Sequence, residues 1–282
     1  MKSVTIGDRQ VGPIGLGTWH MGDQPQIRSQ EIKALQTGLD AGITVIDTAE
    51  MYGEGRSESL VGEAIQPFKR EDLYLISKVY PWNASKTQLP ISLDHSLKRL
   101  ETDYLDLYLL HWSGDVPLEE TVLALETAKA AGKIRDWGVS NFDTADMEAL
   151  WRIPGGDRCV TNEVLYNLGS RGIEYDLKPW MQRQKLPVIA YSPIAQGDSL
   201  GDDFLANKLL QDIAAAHHVS IFQLLLAWSI REGQTLAIPQ SGSADHVLDN
   251  LKAADLVLTE AEWQALAKAY PKPTQKQPLA ML

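Results

Sequence analysis

The chain has almost no cysteine: Cys159 stands alone among 282 residues. That excludes an intrachain disulfide and suits a reducing compartment. Positive charge is also scarce. With 26 Lys and Arg against 37 Asp and Glu, the formal net charge is −11, which argues against nucleic acid or an anionic membrane as a partner. A small anionic ligand responds to local charge only and is not excluded. No apolar run approaches the ~20 residues needed to span a bilayer, and the N-terminal MKSVTIGDRQVG lacks the apolar core of a signal peptide. Pro/Gly/Ser-rich linkers and low-complexity tracts are absent as well. The expectation is a soluble, cytoplasmic chain forming one domain over residues 1–282. Its hydrophobic content of 44% and charged content of 22% are those of a globular protein with a sizeable core.

Short β-rich apolar runs are present in number. They begin near Ile14 (IGLGTW), Thr44 (TVIDTA), Leu73 (LYLISKV), Tyr104 (YLDLYLLH), Ile134 (IRDWGVS), Cys159 (CVTNEVLY), Pro187 (PVIAYSP) and Thr235 (TLAIPQS). Apart from a longer last gap they lie roughly 25 to 32 residues apart, about one strand–helix unit. Helix patterns fill the gaps, as in ISLDHSLKRLE (91–101) and LEETVLALETAKAAG (118–132), the second closed by Gly132 as a C-cap would be. Such a series favours an α/β fold, a single (β/α)8 TIM barrel. The last gap has room for an extra helix near 219–232, and residues 2–11 suit an N-terminal β-hairpin across the barrel floor.

A barrel directs attention to the C-terminal ends of its strands. Asp47 ends the second strand in VIDTAEMYGEG, with Tyr52 five residues on in a loop. Lys78 ends the third in LISKVYPW, on the face of Ile76. In YLDLYLLHW the alternation Leu105, Leu107, Leu109, His111 carries His111 into the barrel mouth if that face points inward. Taken singly, each has an ordinary structural explanation. Their placement at corresponding ends of adjacent strands is much harder to explain that way.

These residues, in the contexts IDTAEMYG, ISKVYPW and YLDLYLLHW, resemble the four-residue active site of the aldo-keto reductases. GVSNF (138–142) and AYSPI (190–194) resemble that family's cofactor-binding segments, and the likeness runs from about residue 4 to residue 270. It is nearest to bacterial members that reduce methylglyoxal, through ETDYLDLYLLHWSG and LGSRGIEYDLKPW. The implied activity is NAD(P)H-dependent reduction of small aldehydes and dicarbonyls to alcohols, with Tyr52 as proton donor, Lys78 lowering its pKa, Asp47 holding Lys78, and His111 orienting the carbonyl. An ammonium about 4 Å away provides roughly 4 kcal/mol at an effective dielectric of ~20. On that arithmetic Tyr52 is expected two or three units below its ordinary ~10.

The resemblance also implies the cofactor contacts. Tyr191 would stack on the nicotinamide, Ser140 and Asn141 would bind its carboxamide, and Thr18 and Asp47 would reach its ribose. Trp19, Ser192, Pro193, Gln196 and Ile238 complete that set. Glu163 stands where the family usually has glutamine, and a carboxylate can accept from the carboxamide but not donate to it. The aromatic and apolar residues Trp19, Met51, Tyr80, Trp82 and Trp112 flank the four polar residues and suggest a pocket for a small or aromatic aldehyde.

The stretch IPQSGSADHVLDN is similar to the family segment that holds the adenosine end of the cofactor and its 2′-phosphate. Ser241, Ser243 and a helix N-terminus can bind an anion there, and Asp249 and Asn250 match an adenine-contacting pair. Gln240 and His246 stand where lysine and arginine are usual. NADPH is thus the expected cofactor, with its preference over NADH reduced or reversed. Two alternatives stay open: a cofactor-binding redox sensor like the potassium-channel β-subunits, and a sugar-phosphate barrel with Lys78 as a Schiff-base lysine. The expected partner is a small carbonyl compound, with no nucleic acid or membrane partner and a monomeric or weakly oligomeric state. No metal is expected: His217 and His218 are adjacent and do not share a helix face. GPIGLG has its glycines at 12, 15 and 17, off the dinucleotide fingerprint, and reads as a tight first strand.

Overall fold

The computed structural model describes residues 3–195 and 204–282. A hairpin opens the chain, β1 (Val4–Ile6) against β2 (Arg9–Val11), antiparallel. Eight parallel strands follow in sequential order: β3 (Leu16–Gly17), β4 (Val45–Asp47), β5 (Tyr74–Val79), β6 (Leu105–Leu110), β7 (Ile134–Ser140), β8 (Asn162–Leu165), β9 (Val188–Tyr191) and β10 (Thr235–Ala237). The first and last are joined as well. Gly15 N donates to Ala237 O at 2.8 Å and Gly17 N to Pro239 O at 3.0 Å, so the sheet curls into a barrel.

Helices cover the outside: α1 (Arg28–Asp40), α2 (Arg56–Ile65), α3 (Leu89–Leu100), α4 (Leu118–Ala130), α5 (Thr144–Arg152) and α6 (Leu177–Arg183). Among the described residues the long gap before β10 holds α7 (Lys208–Ala216) and α8 (Ile221–Ser229), the second at the place of the extra helix expected near 219–232, and α9 (Ala244–Lys252) and α10 (Glu260–Ala269) follow β10. Local chemistry sets several boundaries. Asp143 with Asp146, Ser220 with Gln223 and Thr259 with Glu262 form reciprocal caps that open α5, α8 and α10. Gly132, at φ 75°, lets the chain leave α4 in the left-handed conformation. Among the described residues no single helix is long and apolar enough to cross a membrane.

Two apolar layers hold the barrel. Outward-facing strand residues such as Tyr108, Leu110, Trp137 and Val164 pack against the helices. Inside, Val45, Ile76, Leu107, Leu109, Ile189 and Leu236 meet Val4, Ile6 and Val11 of the hairpin, which plugs the floor. Leu107 and Leu109 lie on the inner face as the alternation required, while Leu105 belongs to the outer layer. With the floor sealed, the open end is the one carrying the strand C-termini.

The glycines of GPIGLG serve this closure. A Cβ on Gly17 would lie 2.6 Å from the carbonyl oxygen of Ile238, inside the seam between the first and last strands. Gly17→Ala is expected to cost about 1–3 kcal/mol through forced backbone displacement, read as a lower midpoint in urea unfolding. An unchanged midpoint would show that the seam has slack.

Candidate active site

Asp47, Lys78, His111 and Tyr52 meet at the mouth. Asp47 and Lys78 come from the adjacent strands β4 and β5, in a register that sets Asp47 opposite Ile76, two residues before Lys78, and His111 follows directly on β6, its backbone N–H bonded to Val79 O at 3.0 Å. Tyr52 opens a short turn after β4 in which Gly53, Glu54 and Gly55 all have positive φ, bending the chain back over the mouth. Lys78 is fully buried and is the hub. Its Nζ donates to Asp47 Oδ1 at 2.6 Å, to the Thr48 carbonyl at 3.0 Å and to the Tyr52 hydroxyl at 3.1 Å. The His111 ring stands edge-on to Tyr52, centroids 5.8 Å apart.

The electrostatics follow from burial and from that ion pair. Burial works against the Lys78 ammonium, but Asp47 and then Glu163 outweigh it and hold the amine above its ordinary value. A Schiff base needs a neutral amine, so the sugar-phosphate alternative loses its lysine. Burial lowers His111 to about 2, with Lys78 adding to the effect, so the imidazole is neutral. Tyr52 corrects the expectation from sequence. Burial pushes its phenol above the ordinary value and Lys78 offsets this only in part, because Asp47 and Glu163 oppose its influence. The isolated-ammonium arithmetic left out both burial and those two carboxyl groups.

A cavity of about 520 Å³ opens above these residues. Its wall includes Thr18, Trp19, Met51, Trp112, Ser140, Asn141, Glu163, Tyr191, Ser192, Pro193, Ile238 and Gln240. Thr18 is already engaged, donating to Asp47 O at 2.8 Å and accepting from Ser57 Oγ at 2.8 Å. Asn141, at φ 58°, is clamped. Its amide donates to His111 O at 3.2 Å and to Ser140 Oγ at 3.1 Å, and its Oδ1 accepts from the Tyr191 hydroxyl at 2.9 Å. A non-glycine residue held left-handed at a strand end stores strain that its neighbours must support. Glu163 is buried, with Oε1 3.4 Å from Lys78 Nζ.

Other sequence candidates lie elsewhere. Tyr80 and Trp82 do not line the cavity. They stack on each other at 4.3 Å and meet Trp112 edge-on, backing it from outside, and Trp82 is 60% exposed. Trp112 is what their stack supports. Ser241, Ser243, His246, Asp249 and Asn250 lie beyond the cavity, on the turn and helix that follow Gln240. There Ser243 caps α9, His246 is exposed, Asp249 pairs with Lys252 at 2.9 Å and Asn250 is buried. Gln196 lies outside the described residues. Cys159 is buried, its thiol pushed up to about 12 by that burial and donating to Thr161 O, an inert core residue.

The cavity also has walls that no local pattern announced. Met281 and Leu282 reach it from the C-terminal segment, and His20 stacks on Trp19 at 4.6 Å. The Thr48 carbonyl that takes one Lys78 proton is a backbone group, invisible to any motif of side chains.

Fold and site together define a barrel enzyme that can hold a proton on a phenol against a buried ammonium, beside a cleft for a second reactant. The chain belongs to the aldo/keto reductase family, whose model matches residues 13–271. It is 51% identical to "Methylglyoxal reductase YeaE" of Escherichia coli K12, over 98% of this chain and 97% of that one. "Methylglyoxal reductase DkgB" of Salmonella typhi is 34% identical, over 90% of this chain and 91% of that one. Among solved structures, an aldo-keto reductase from Klebsiella pneumoniae in complex with NADPH superposes with a TM-score of 0.98 at 51% identity, covering 100% of this chain and 99% of that one.

Proposed function

We propose that this protein reduces small aldehydes and dicarbonyls, methylglyoxal among them, to alcohols with NADPH as reductant. The observation that carries the reading is the convergence of Tyr52, Lys78, Asp47 and a neutral His111 on one end of an aromatic-walled cavity. The residues present suit a nicotinamide. The ring face of Tyr191, held through its bond to Asn141, offers a stacking surface. Asn141 Oδ1 keeps a second lone pair for an amide N–H. When bound, the reduced nicotinamide supplies the hydride that no side chain can give.

The chain's own groups handle the proton. Neutral His111 hydrogen-bonds the carbonyl oxygen and fixes its direction. Tyr52 gives its proton to that oxygen as negative charge develops on it, and Lys78, already donating to the phenol oxygen at 3.1 Å, stabilises the phenolate left behind. The raised Tyr52 value keeps the proton in place until that moment. Asp47 keeps Lys78 charged and aimed. Trp19, Met51 and Trp112 exclude water and favour compact or aromatic substrates. A lone, buried thiol fits work in the reducing cytoplasm.

Following NADPH and NADH absorbance separately against a panel of aldehydes that includes methylglyoxal tests this. Consumption of NADPH that depends on the aldehyde is expected. Bound NADPH with no turnover on any carbonyl would sink the reading and return the protein to the class of redox sensors.

A further inference from the structure

Lys78 has three N–H bonds, and all three have acceptors: Asp47 Oδ1, the Thr48 carbonyl and the Tyr52 hydroxyl. Glu163 Oε1, 3.4 Å from Nζ, receives the field of the ammonium but no hydrogen. Asp47 Oδ2 and Glu163 Oε2 are both buried with no hydrogen-bond donor, and both carboxyl groups converge on the same ammonium, Asp47 Oδ1 at 2.6 Å and Glu163 Oε1 at 3.4 Å from Nζ. Both acids ionised would set two negative charges against one ammonium in a buried pocket, with two acceptors unsatisfied. One proton between them removes the excess charge and pairs both oxygens.

We propose that Asp47 and Glu163 share this proton, and that its presence or loss sets the balance between reduced and oxidised nicotinamide in the cavity. The proposal rests on the nicotinamide reading above. Burial, and then the charge of Asp47, hold Glu163 well above the ordinary carboxylate value, which favours its protonated form. Among the described residues, the charged and titratable groups facing Glu163 are Asp47 from β4, Lys78 from β5, Tyr52 from the turn after β4 and Tyr191 from β9. Ser140 and Asn141 of the β7 end are neutral, as is His111 after β6.

The sign follows directly. Below its own pKa Glu163 is a neutral acid, and Asp47, Lys78 and Glu163 sum to zero charge. As pH rises through that value the O–H bond breaks, the proton goes to solvent, and the cluster carries one negative charge. An oxidised nicotinamide ring is positive and a reduced one is neutral, so the ionised cluster favours the oxidised form. By linkage, binding of the oxidised form drives the proton out. A glutamine at this position would hold neither a proton nor a charge. Glu163 is thus a positioning residue that ties cofactor exchange to pH, while Tyr52 remains the proton donor to substrate.

The test measures Kd for NADPH and for NADP+ by quenching of tryptophan fluorescence from about pH 6 to about pH 10, in the wild type and in Glu163→Gln. In the wild type, affinity for NADP+ relative to NADPH should rise about tenfold across the range, equivalent to about 1.4 kcal/mol. In Glu163→Gln the ratio should stay flat. An infrared measurement needs no variant. The cofactor-free wild type at neutral pH should show a protonated-carboxyl stretch that weakens on addition of NADP+ and persists with NADPH. A ratio independent of pH in the wild type, the same pH dependence in Glu163→Gln, or no protonated-carboxyl band would each overturn the proposal. Failure of the wild type to bind either nucleotide would instead overturn the proposed function on which it rests.

Discussion

Replacing Tyr52 by phenylalanine is expected to lower kcat for carbonyl reduction by about 10²–10⁴-fold, the range of a general acid's contribution, with the Kd for NADPH changed by no more than about twofold. The loss should be large because no neighbour can take over. His111, lowered to about 2 by burial, carries no acidic proton at neutral pH. Lys78 is acidic in name only: it is held above its ordinary value, and in the wild type each of its hydrogens has an acceptor. Removing the phenol oxygen leaves Lys78 its bonds to Asp47 and to the Thr48 carbonyl, so the hub keeps its shape. On the proposed reading the nicotinamide is held by Ser140, Asn141 and Tyr191 of the cavity wall, so its binding should be spared. Steady-state kinetics with methylglyoxal, beside fluorescence titration of NADPH, separate the two effects. Retained turnover in Tyr52→Phe would remove the tyrosine from the chemistry, and a parallel loss of NADPH affinity would show a collapsed site instead.

The sequence unaided supports the same outcome for Tyr52→Phe; what the structure changes is the direction of the Tyr52 shift. The position of Tyr52 and its three companions was legible because strand alternation fixes which side chains face the barrel axis and βα connectivity fixes which end they reach. The sign of the Tyr52 shift was not. It depends on how deeply the phenol is buried and on how far Asp47 and Glu163 oppose Lys78, and neither is encoded in spacing. The aromatic wall shows the same limit. Trp112 follows His111 directly and lines the cavity, whereas Tyr80 and Trp82, two and four residues after Lys78, turn outward into a stack of their own. Met281 and Leu282 reach the cavity from the far end of the chain, a contact set by tertiary packing without any local signature. Glu163 is intermediate: the odd residue was visible in sequence, but its consequence required counting the hydrogens on Lys78.

The largest expected gain is at the turn after β10. No lysine or arginine stands between Ile238 and Leu251, so the donors this turn offers a 2′-phosphate include the hydroxyls of Ser241 and Ser243 and the first N–H groups of α9, with no ammonium or guanidinium among its own residues. Ser243 already accepts from His246 N, and Ser241 Oγ already accepts from Ser243 N at 3.1 Å, so both hydroxyl oxygens are committed in part to the turn itself. Asp245 in the first turn of the helix adds like charge. The wild type should therefore prefer NADPH over NADH only weakly, or prefer NADH. Gln240 and His246 are both exposed, which makes the turn tolerant of longer cations. The double variant Gln240→Lys, His246→Arg supplies two charge-assisted contacts, each worth about 1.5–3 kcal/mol. Even with partial overlap, the ratio of kcat/KM for NADPH over NADH should rise by about 10²-fold. The change should come through KM for NADPH, leave NADH kinetics in place, and shrink with added salt because the turn is exposed. A wild type that already discriminates strongly for NADPH, or a double variant whose ratio does not move, would mean that the 2′-phosphate is held by groups outside this turn.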